Sequence, residues 1–406
     1  MTLVIFVAPM FSPAASQMIE AAASLSGVQL AVIAQEPLDH LSPVLAARLV
    51  GHWRVQDITD DVQLEWAARE LSARLGPVHR LFGAYEQAQL PLALVRERLG
   101  IPGLPSAAAM NFRDKARMKD VLRAAGVPVA RHRLIAKRVD AIEFIAEVDF
   151  PIVVKPPAGA GAIATHRVSD YVELDALLAL YPPSADNPLL AEEFLRGTEH
   201  SLETISIDGR AIWYSLTHYL PTPLTVLENP WIQWGVVLPR EVDDPFFDDI
   251  RAVGDQALRA LGMTTGVSHC EWFRRADGTV AISEIAARPP GAQITTMIAR
   301  AHDFDFVGAW ARLMVEGTFA IPTRQYAVAT AYLRGQGKGR VVAIDGLDEV
   351  QQELRPLICD VGLPRVGQVP NGSYEGEGFI MLRHPETAAV QRALQHVVST
   401  VRVHLG

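Results

Sequence analysis

The chain has 406 residues, of which 49% are hydrophobic and 20% charged, which is typical of a soluble enzyme with about two to four domains. Its 37 basic and 46 acidic residues give a net charge of −9, which excludes a broad surface for nucleic acids or anionic membranes. The two cysteines, Cys270 and Cys359, have no metal-site or disulfide-framework spacing, so we expect a reducing cytoplasm. The apolar start has no basic region and no apolar run approaches about 18 residues, so we expect neither a signal peptide nor a membrane span.

Residues 1–110 have the pattern of an open α/β unit with a parallel sheet. Short apolar runs at 3–7 and 28–34 predict buried strands, and residues 14–24 and 84–100 predict helices. No glycine fingerprint follows the first strand, so we do not expect a dinucleotide site there.

A helix is predicted from Asn111 to Gly126, with Asn111 as its cap and Asp114 at its third position. Lys115 falls in the first turn, where a cation opposes the helix dipole. A functional lysine and a plain surface lysine both fit this position.

Residues 150–168 predict two strands joined by a loop of small residues. The first strand ends at Lys155, and Gly159 and Gly161 lie in the loop 158–164. The letters GAGAIA match a dinucleotide fingerprint, but prolines precede them and no helix follows, so that interpretation fails. The loop is suited either to binding phosphates through its N–H groups or to a simple glycine hairpin.

Residues 189–220 predict three strands that carry unusual acidic positions. Glu192 and Glu193 interrupt an apolar run, and Glu199 follows the turn at 196–198. Residues 221–240 then predict a loop that includes Trp234. This tryptophan fits either a pocket wall or an ordinary core or lid position.

The segment 266–286 predicts a hairpin with a two-residue turn at Asp277-Gly278. That turn places Glu271 opposite Glu284 and His269 opposite Ala286. Two facing carboxylates repel by about 3 kcal/mol at ~5 Å and an effective dielectric of ~20, so a fold keeps them only with a cation or proton between them. Mg²⁺ suits such oxygen ligands, and the alternative is a surface hairpin with two solvated glutamates.

Together these segments resemble the ATP-grasp superfamily over nearly the whole chain. The order matches: a helix with Asp-Lys, a strand ending in VVKP, the glycine-bearing loop, EEFLRGTE, and the hairpin GVSHCEW…SEIAAR. The resemblance implies an α/β ATP-grasp fold with a Rossmann-like pre-ATP-grasp domain at 1–110. A small lobe with a flap over 158–164 would span 111–187, a large lobe with the metal site 188–324, and a small α/β closing domain 325–406.

The resemblance also implies which residues hold ATP. Lysines and the glycine-bearing flap would contact the phosphates, with the flap ordered by ATP, and the acidic positions of the segment 189–199 would bind adenine and ribose. Adenine would contact the side chain of Glu192 and the backbone of Glu193 and Leu195, and ribose would contact Glu199. The implied nucleotide ligands are Lys115, Lys155, Gly159, Gly161, Glu192, Glu193, Leu195 and Glu199.

By the same resemblance, Glu271 and Glu284 would ligate Mg²⁺ (or Mn²⁺), and Arg288 would stabilise an acyl phosphate and its adduct. Many members have an asparagine where this chain has Ala286, which puts a second metal in doubt. The dipeptide-forming L-amino acid ligases share this small residue and the AAR run, so the chain is most similar to that branch.

The implied reaction joins a small-molecule carboxylate to an amine with conversion of ATP to ADP and phosphate, in a cytoplasmic homodimer. His218, Trp234 and His269 are candidates for substrate contacts, although structural histidines fit equally well. The alternatives are a biotin-carboxylase-like or purine-pathway ATP-grasp enzyme, a dinucleotide-dependent oxidoreductase, and a nucleotide-binding protein without turnover.

Overall fold

The N-terminal part of the chain is an open parallel sheet with helices on both faces. The computed structural model describes residues 1–159 and 164–406. The strands of this sheet are β1 (Thr2–Ala8), β2 (Val28–Ala34), β3 (Gly51–Arg54) and β4 (Val78–Phe82). The order is β3-β2-β1-β4, and alternate residues of β1 enter two cores, Val4 and Phe6 on one face and Leu3 and Ile5 on the other. The covering helices are α1 (Pro13–Ala23), α2 (Pro43–Ala46), α3 (Asp61–Leu75) and α4 (Gln89–Leu99).

Two helices, not one, follow this unit: α5 (Ser106–Arg113) and α6 (Lys115–Ala124). The predicted helix start at Asn111 is wrong. Asp114 caps α6 by accepting from the Arg117 N–H at 2.9 Å, whereas the Asn111 amide donates to the Leu261 carbonyl. Asp114 therefore separates the two helices and fixes Lys115 at the first position of α6.

A small antiparallel sheet comes next, in the order β5-β8-β6-β7. Its strands are β5 (His132–Ile135), β6 (Ile152–Lys155), β7 (His166–Val168) and β8 (Leu189–Glu193). The helices α7 (Arg138–Val148) and α8 (Tyr171–Leu180) pack on one face, with Phe144 and Leu174 in the shared core. This sheet places Lys155 and Glu192 at the cavity described below.

The remaining strands form an eight-stranded antiparallel sheet and a small three-stranded sheet. In chain order they are β9 (Gly197–Ile207), β10 (Arg210–Leu220), β11 (Trp234–Leu238), β12 (Gly266–Arg275), β13 (Val280–Ala286), β14 (Ala327–Leu333), β15 (Gly335–Gly337), β16 (Val341–Asp345), β17 (Ile358–Gly362), β18 (Gly378–His384) and β19 (Arg402–Leu405). The large sheet has the order β13-β12-β9-β10-β11-β14-β18-β17, and the small one β15-β19-β16.

Six helices accompany these strands: α9 (Pro223–Glu228), α10 (Asp248–Leu261), α11 (Ile294–His302), α12 (Phe306–Glu316), α13 (Leu347–Leu354) and α14 (Thr387–Thr400). Two of the sheets include strands from both sides of a predicted domain boundary. The large sheet includes β14, which lies beyond the boundary at 324. In the small sheet, β8 lies beyond the boundary at 187 and pairs with strands that precede it. The division into four domains therefore stays a prediction. Among the helices in the described parts of the chain, none is long and apolar enough to cross a bilayer.

Candidate active site

The hairpin of β12 and β13 has the predicted pairing at its acidic end but a different turn. Glu271 faces Glu284, and His269 faces Ala286, as predicted. The predicted two-residue turn is wrong, because the Arg275 N–H donates to the Thr279 carbonyl at 2.8 Å and the turn spans the three residues 276–278. Gly278 has φ +84°, the left-handed conformation that ends a three-residue turn of this kind.

A β-bulge at Ser283 restores the predicted pairing. The register shifts by one residue in the middle of the hairpin, which leaves Ser283 as the extra residue of β13. Consequently Ile282 and Ile285, three positions apart, both enter the same core, while Ser283 and Glu284 line a cavity on the other side. The Ser283 carbonyl accepts a hydrogen bond from Lys119, a residue that the sequence analysis did not select.

Three lysines converge on two of the acidic side chains. Lys115 pairs with Glu284 at 2.8 Å, while Glu192 pairs with Lys155 at 2.8 Å and Lys119 at 2.9 Å. All three lysines are buried, and Lys119 is fully inaccessible. Since buried ammonium groups need compensating charge, Lys115 is not a plain surface lysine.

The acidic side chains differ in their electrostatic environment. Burial acts to raise the pKa of Glu192, but its two lysine partners outweigh burial and lower the pKa to about 2. Burial also acts to raise the pKa of Glu284, and Lys115 and Lys155 overcome it and lower the pKa. Glu199 shows the opposite balance, because burial and the neighbouring Glu271 raise its pKa well above the usual range. The site therefore holds ionised carboxylates beside one that favours its proton.

A cavity of about 470 Å³ joins these groups. Most of the predicted site residues that the structure describes line it, and Gly161 lies outside the described residues. His218 is not among the lining residues; its Nδ1 lies 2.6 Å from Nδ1 of His200, and its ring packs near Phe247. The predicted residues that line the cavity are Lys115, Lys155, Gly159, Glu192, Glu193, Leu195, Glu199, Trp234, His269, Glu271, Glu284 and Arg288.

Arg288 is held by a carboxylate from the N-terminal sheet unit. Its Nε and Nη2 donate to one oxygen of Glu86 at 3.0 and 2.8 Å. The other oxygen of Glu86 accepts from Arg113 at 3.2 Å, and Arg113 also donates to the Ala158 carbonyl at 2.7 Å. Glu86 follows β4 by a few residues, and no spacing in the sequence connects it with a position about 200 residues later.

The donors fit a hard divalent cation. Two carboxylates face each other across one ladder, and a third, Glu199, lies on the adjacent strand β9 and lines the same cavity. Mg²⁺ prefers such carboxylate oxygens together with nucleotide phosphates, so Glu271 and Glu284 are the residues that would hold it.

Residues 120–304 match the family model described as an ATP-grasp domain. The match covers less than half of the chain, and the architecture of the chain is the ATP-grasp fold. The solved structure of an L-amino acid ligase from Bacillus licheniformis matches 100% of this chain and 99% of its own, with a TM-score of 0.78 and 20% identity.

Two curated relatives are named as ligases. An L-arginine-specific L-amino acid ligase of Bacillus subtilis is 27% identical over 264 residues, which are 63% of each chain. A D-alanine–D-alanine ligase of Pediococcus pentosaceus is 28% identical over 193 residues, which are 45% of this chain and 51% of the relative. The matches thus span about half to nearly two-thirds of these relatives.

Proposed function

We propose that the protein is an ATP-dependent carboxylate–amine ligase that joins amino-acid-like substrates. The observation that carries the proposal is the cavity in which two facing carboxylates, buried lysines and a fixed arginine meet. Such a set can hold Mg²⁺–ATP at one end and an activated carboxylate at the other.

In the proposed reaction a substrate carboxylate oxygen attacks the γ-phosphorus of ATP, and the bond from that phosphorus to ADP breaks. Lys115 and Lys155 offset the charge of the transferring group, and Glu271 and Glu284 hold the metal ion. An amine then attacks the acyl carbon, phosphate leaves, and the nitrogen loses a proton. Arg288 donates its forked N–H groups to the oxygen that gains charge in this step.

The amino-acid class is supported by an aromatic cluster in the cavity wall. The cluster consists of Tyr219, Trp234 and Tyr374, with the rings of Trp234 and Tyr374 centred 4.7 Å apart. Leu224 and Ile294 also line the cavity. Such a wall suits an apolar side chain of a small substrate, whereas a phosphorylated sugar would need further cations there.

The test is a screen of purified protein with Mg²⁺–ATP and pairs of L-amino acids. We expect one phosphate released per ADP formed, a dipeptide product, and a hydroxamate when hydroxylamine replaces the amine. Arg288→Lys should bind ATP normally but join substrates about a hundredfold or more slowly, since one ammonium group cannot replace the fork.

The matched control is Arg300→Lys, an exposed arginine on α11 paired with Asp360 at 2.8 Å, which should retain the wild-type rate. Formation of AMP and pyrophosphate would contradict the acyl-phosphate route. A requirement for bicarbonate or an aminoribonucleotide would instead favour the carboxylase-like or purine-pathway alternative.

A further inference from the structure

Glu203 is a fully buried carboxylate next to the cavity that the proposed chemistry does not use. It lies on β9 and is 0% exposed. Its Oε1 accepts from Ser201 Oγ at 2.6 Å and His269 Nδ1 at 2.8 Å, and its Oε2 accepts from Thr217 Oγ1 at 3.1 Å. A carboxylate buried with this many donors is held in one orientation.

His269 connects Glu203 with the proposed metal ligands. Its Nδ1 faces Glu203, and its Nε2 lies 3.6 Å from Oε1 of Glu271. His269 and Glu271 both line the cavity, so the imidazole forms part of the cavity wall beside this carboxylate.

Glu203 has a second charged neighbour, Arg324, but this arginine does not replace His269 as a hydrogen-bond partner of Glu203. Arg324 is partly buried and donates to Ser215 Oγ at 2.5 Å and to the Pro239 carbonyl. Ser215 is the cross-strand partner of Glu203. Arg324 therefore donates its hydrogen bonds to β10 and to the residue that follows β11. The imidazole of His269 is hydrogen-bonded to the Glu203 carboxylate on the cavity side.

We propose that Glu203 is a positioning residue that fixes the tautomer and ring orientation of His269, so that Nε2 stays beside Glu271 and faces the substrates. This inference rests on the proposed ligase function. A carboxylate behind a histidine does the same for many metal sites: it fixes the ring nitrogen that faces outward. Here the histidine stands beside a proposed metal ligand. Because Nδ1 donates to Glu203, the outer nitrogen carries the lone pair and can accept a hydrogen bond from an N–H group of a reactant.

The test is a double-mutant cycle with Glu203→Gln, His269→Gln and the combined variant. The amide introduced by Glu203→Gln keeps the volume but not the charge, so we expect kcat to fall about tenfold or more while the KM for ATP stays within about twofold. The combined variant should be no slower than His269→Gln alone, because Glu203 acts through His269. Additive losses would overturn the proposal.

The control is Ser215→Ala, a buried polar lesion on the strand opposite Glu203 without contact to His269. If it reproduces the kinetic effect of Glu203→Gln, a structural role explains the result and the proposal fails. If Glu203→Gln does not fold, Thr217→Val serves in its place, because it removes one hydrogen-bond donor to Glu203. We expect Thr217→Val to lower kcat more than Ser215→Ala does. An equal effect of the two variants on kcat would overturn the proposal.

A spectroscopic readout separates this inference from the proposed function. In protein labelled with ¹⁵N-histidine, the His269 signals, assigned by their loss in His269→Gln, should show Nδ1 carrying a proton. Glu203→Gln should shift those signals, and Ser215→Ala should not. Unchanged signals in Glu203→Gln would overturn the positioning role, even if the ligase activity is found, and shifted signals would support it if the activity is absent.

Discussion

At the scale of single residues, the two facing carboxylates are compensated unequally. Glu284 has the Lys115 ammonium at 2.8 Å and a lowered pKa. Glu271 has His269 Nε2 at 3.6 Å and contributes to the raised pKa of Glu199. Without nucleotide, Glu284 therefore forms a favourable ion pair with Lys115. Glu271 instead adds negative charge to a site in which Glu199 already keeps its proton.

We predict opposite stability changes for the two amide substitutions in the absence of nucleotide. Glu284→Gln should lower the free energy of unfolding by about 1–3 kcal/mol, because it leaves Lys115 buried without its carboxylate. Glu271→Gln should leave the free energy of unfolding unchanged or raise it, because it removes repulsion with the facing Glu284. Urea unfolding at neutral pH measures both.

Glu143→Gln is the control for losing a carboxylate from an exposed ion pair, here with Arg133, and should change stability by less than about 1 kcal/mol. Equal destabilisation by Glu271→Gln and Glu284→Gln would show that the two carboxylates are compensated alike.

Sequence patterns found the site residues that lie in recognisable local motifs and missed those that depend on long-range contacts. Glu271 and Glu284 follow from strand alternation and a turn signal, and Lys155 ends an apolar strand. Glu86 and Lys119 carry no local signal, since each matters through a partner at least 70 residues away. His218 has the right residue type, but its ring is partly buried against His200 of the neighbouring strand β9 and is not among the residues that line the cavity.

At the scale of secondary-structure elements, the hairpin pairing was predicted correctly although the turn was not. The one-residue difference in the turn is offset by the bulge at Ser283, so Glu271 and Glu284 still face each other. Local turn propensity could not reveal this, because a bulge in the strand depends on tertiary contacts: the Ile282 N–H donates to the Pro128 carbonyl at 2.9 Å, outside the hairpin.

A single-residue deletion in the turn should therefore leave the site intact. Deleting Ala276 shortens the turn to Asp277-Gly278, which suits a two-residue hairpin, and leaves the ladder beyond it in place. We expect that variant to keep its ATP-dependent turnover within about threefold.

The assays are turnover with Mg²⁺–ATP and a thermal shift with and without nucleotide. Loss of both turnover and nucleotide stabilisation in the Ala276 deletion would show that the three-residue turn is needed to keep Glu271 opposite Glu284.

At the scale of the whole molecule, the site is assembled from units that lie far apart in the chain. Lys155 and Glu192 come from the small sheet, the facing carboxylates from the large sheet, and Tyr374 from the C-terminal segment between β17 and β18. The fold class and the order of units could be predicted because each unit has its own periodicity. The way in which the units close on one another could not, because it depends on contacts such as that of Glu86.

Glu86 joins the N-terminal sheet unit to two other parts of the site. Its side chain is nearly fully buried. It accepts hydrogen bonds from Arg288, which follows the β12–β13 hairpin, and from Arg113 at the end of α5. Arg113 in turn donates to carbonyl groups of the described start of the glycine-bearing loop, Ala158 and Gly159. One carboxylate thus holds two guanidinium groups in place around the cavity.

We predict that Glu86→Gln weakens substrate binding more than ATP binding. The amide cannot balance two guanidinium charges, so Arg288 loses its fixed orientation and the KM for the carboxylate or amine substrate should rise about tenfold or more. The KM for ATP should rise by less, about threefold, because Glu86 reaches the nucleotide end only through Arg113 and the start of the glycine-bearing loop, while the lysine and glutamate contacts there do not include Glu86. Initial rates with each substrate varied separately give both constants, with Glu97→Gln, whose carboxylate on α4 accepts from Ser106, as the control. An equal rise in both KM values would mean that Glu86 stabilises the fold as a whole instead of orienting Arg288, and a normal KM for both would mean that the orientation of Arg288 comes from elsewhere.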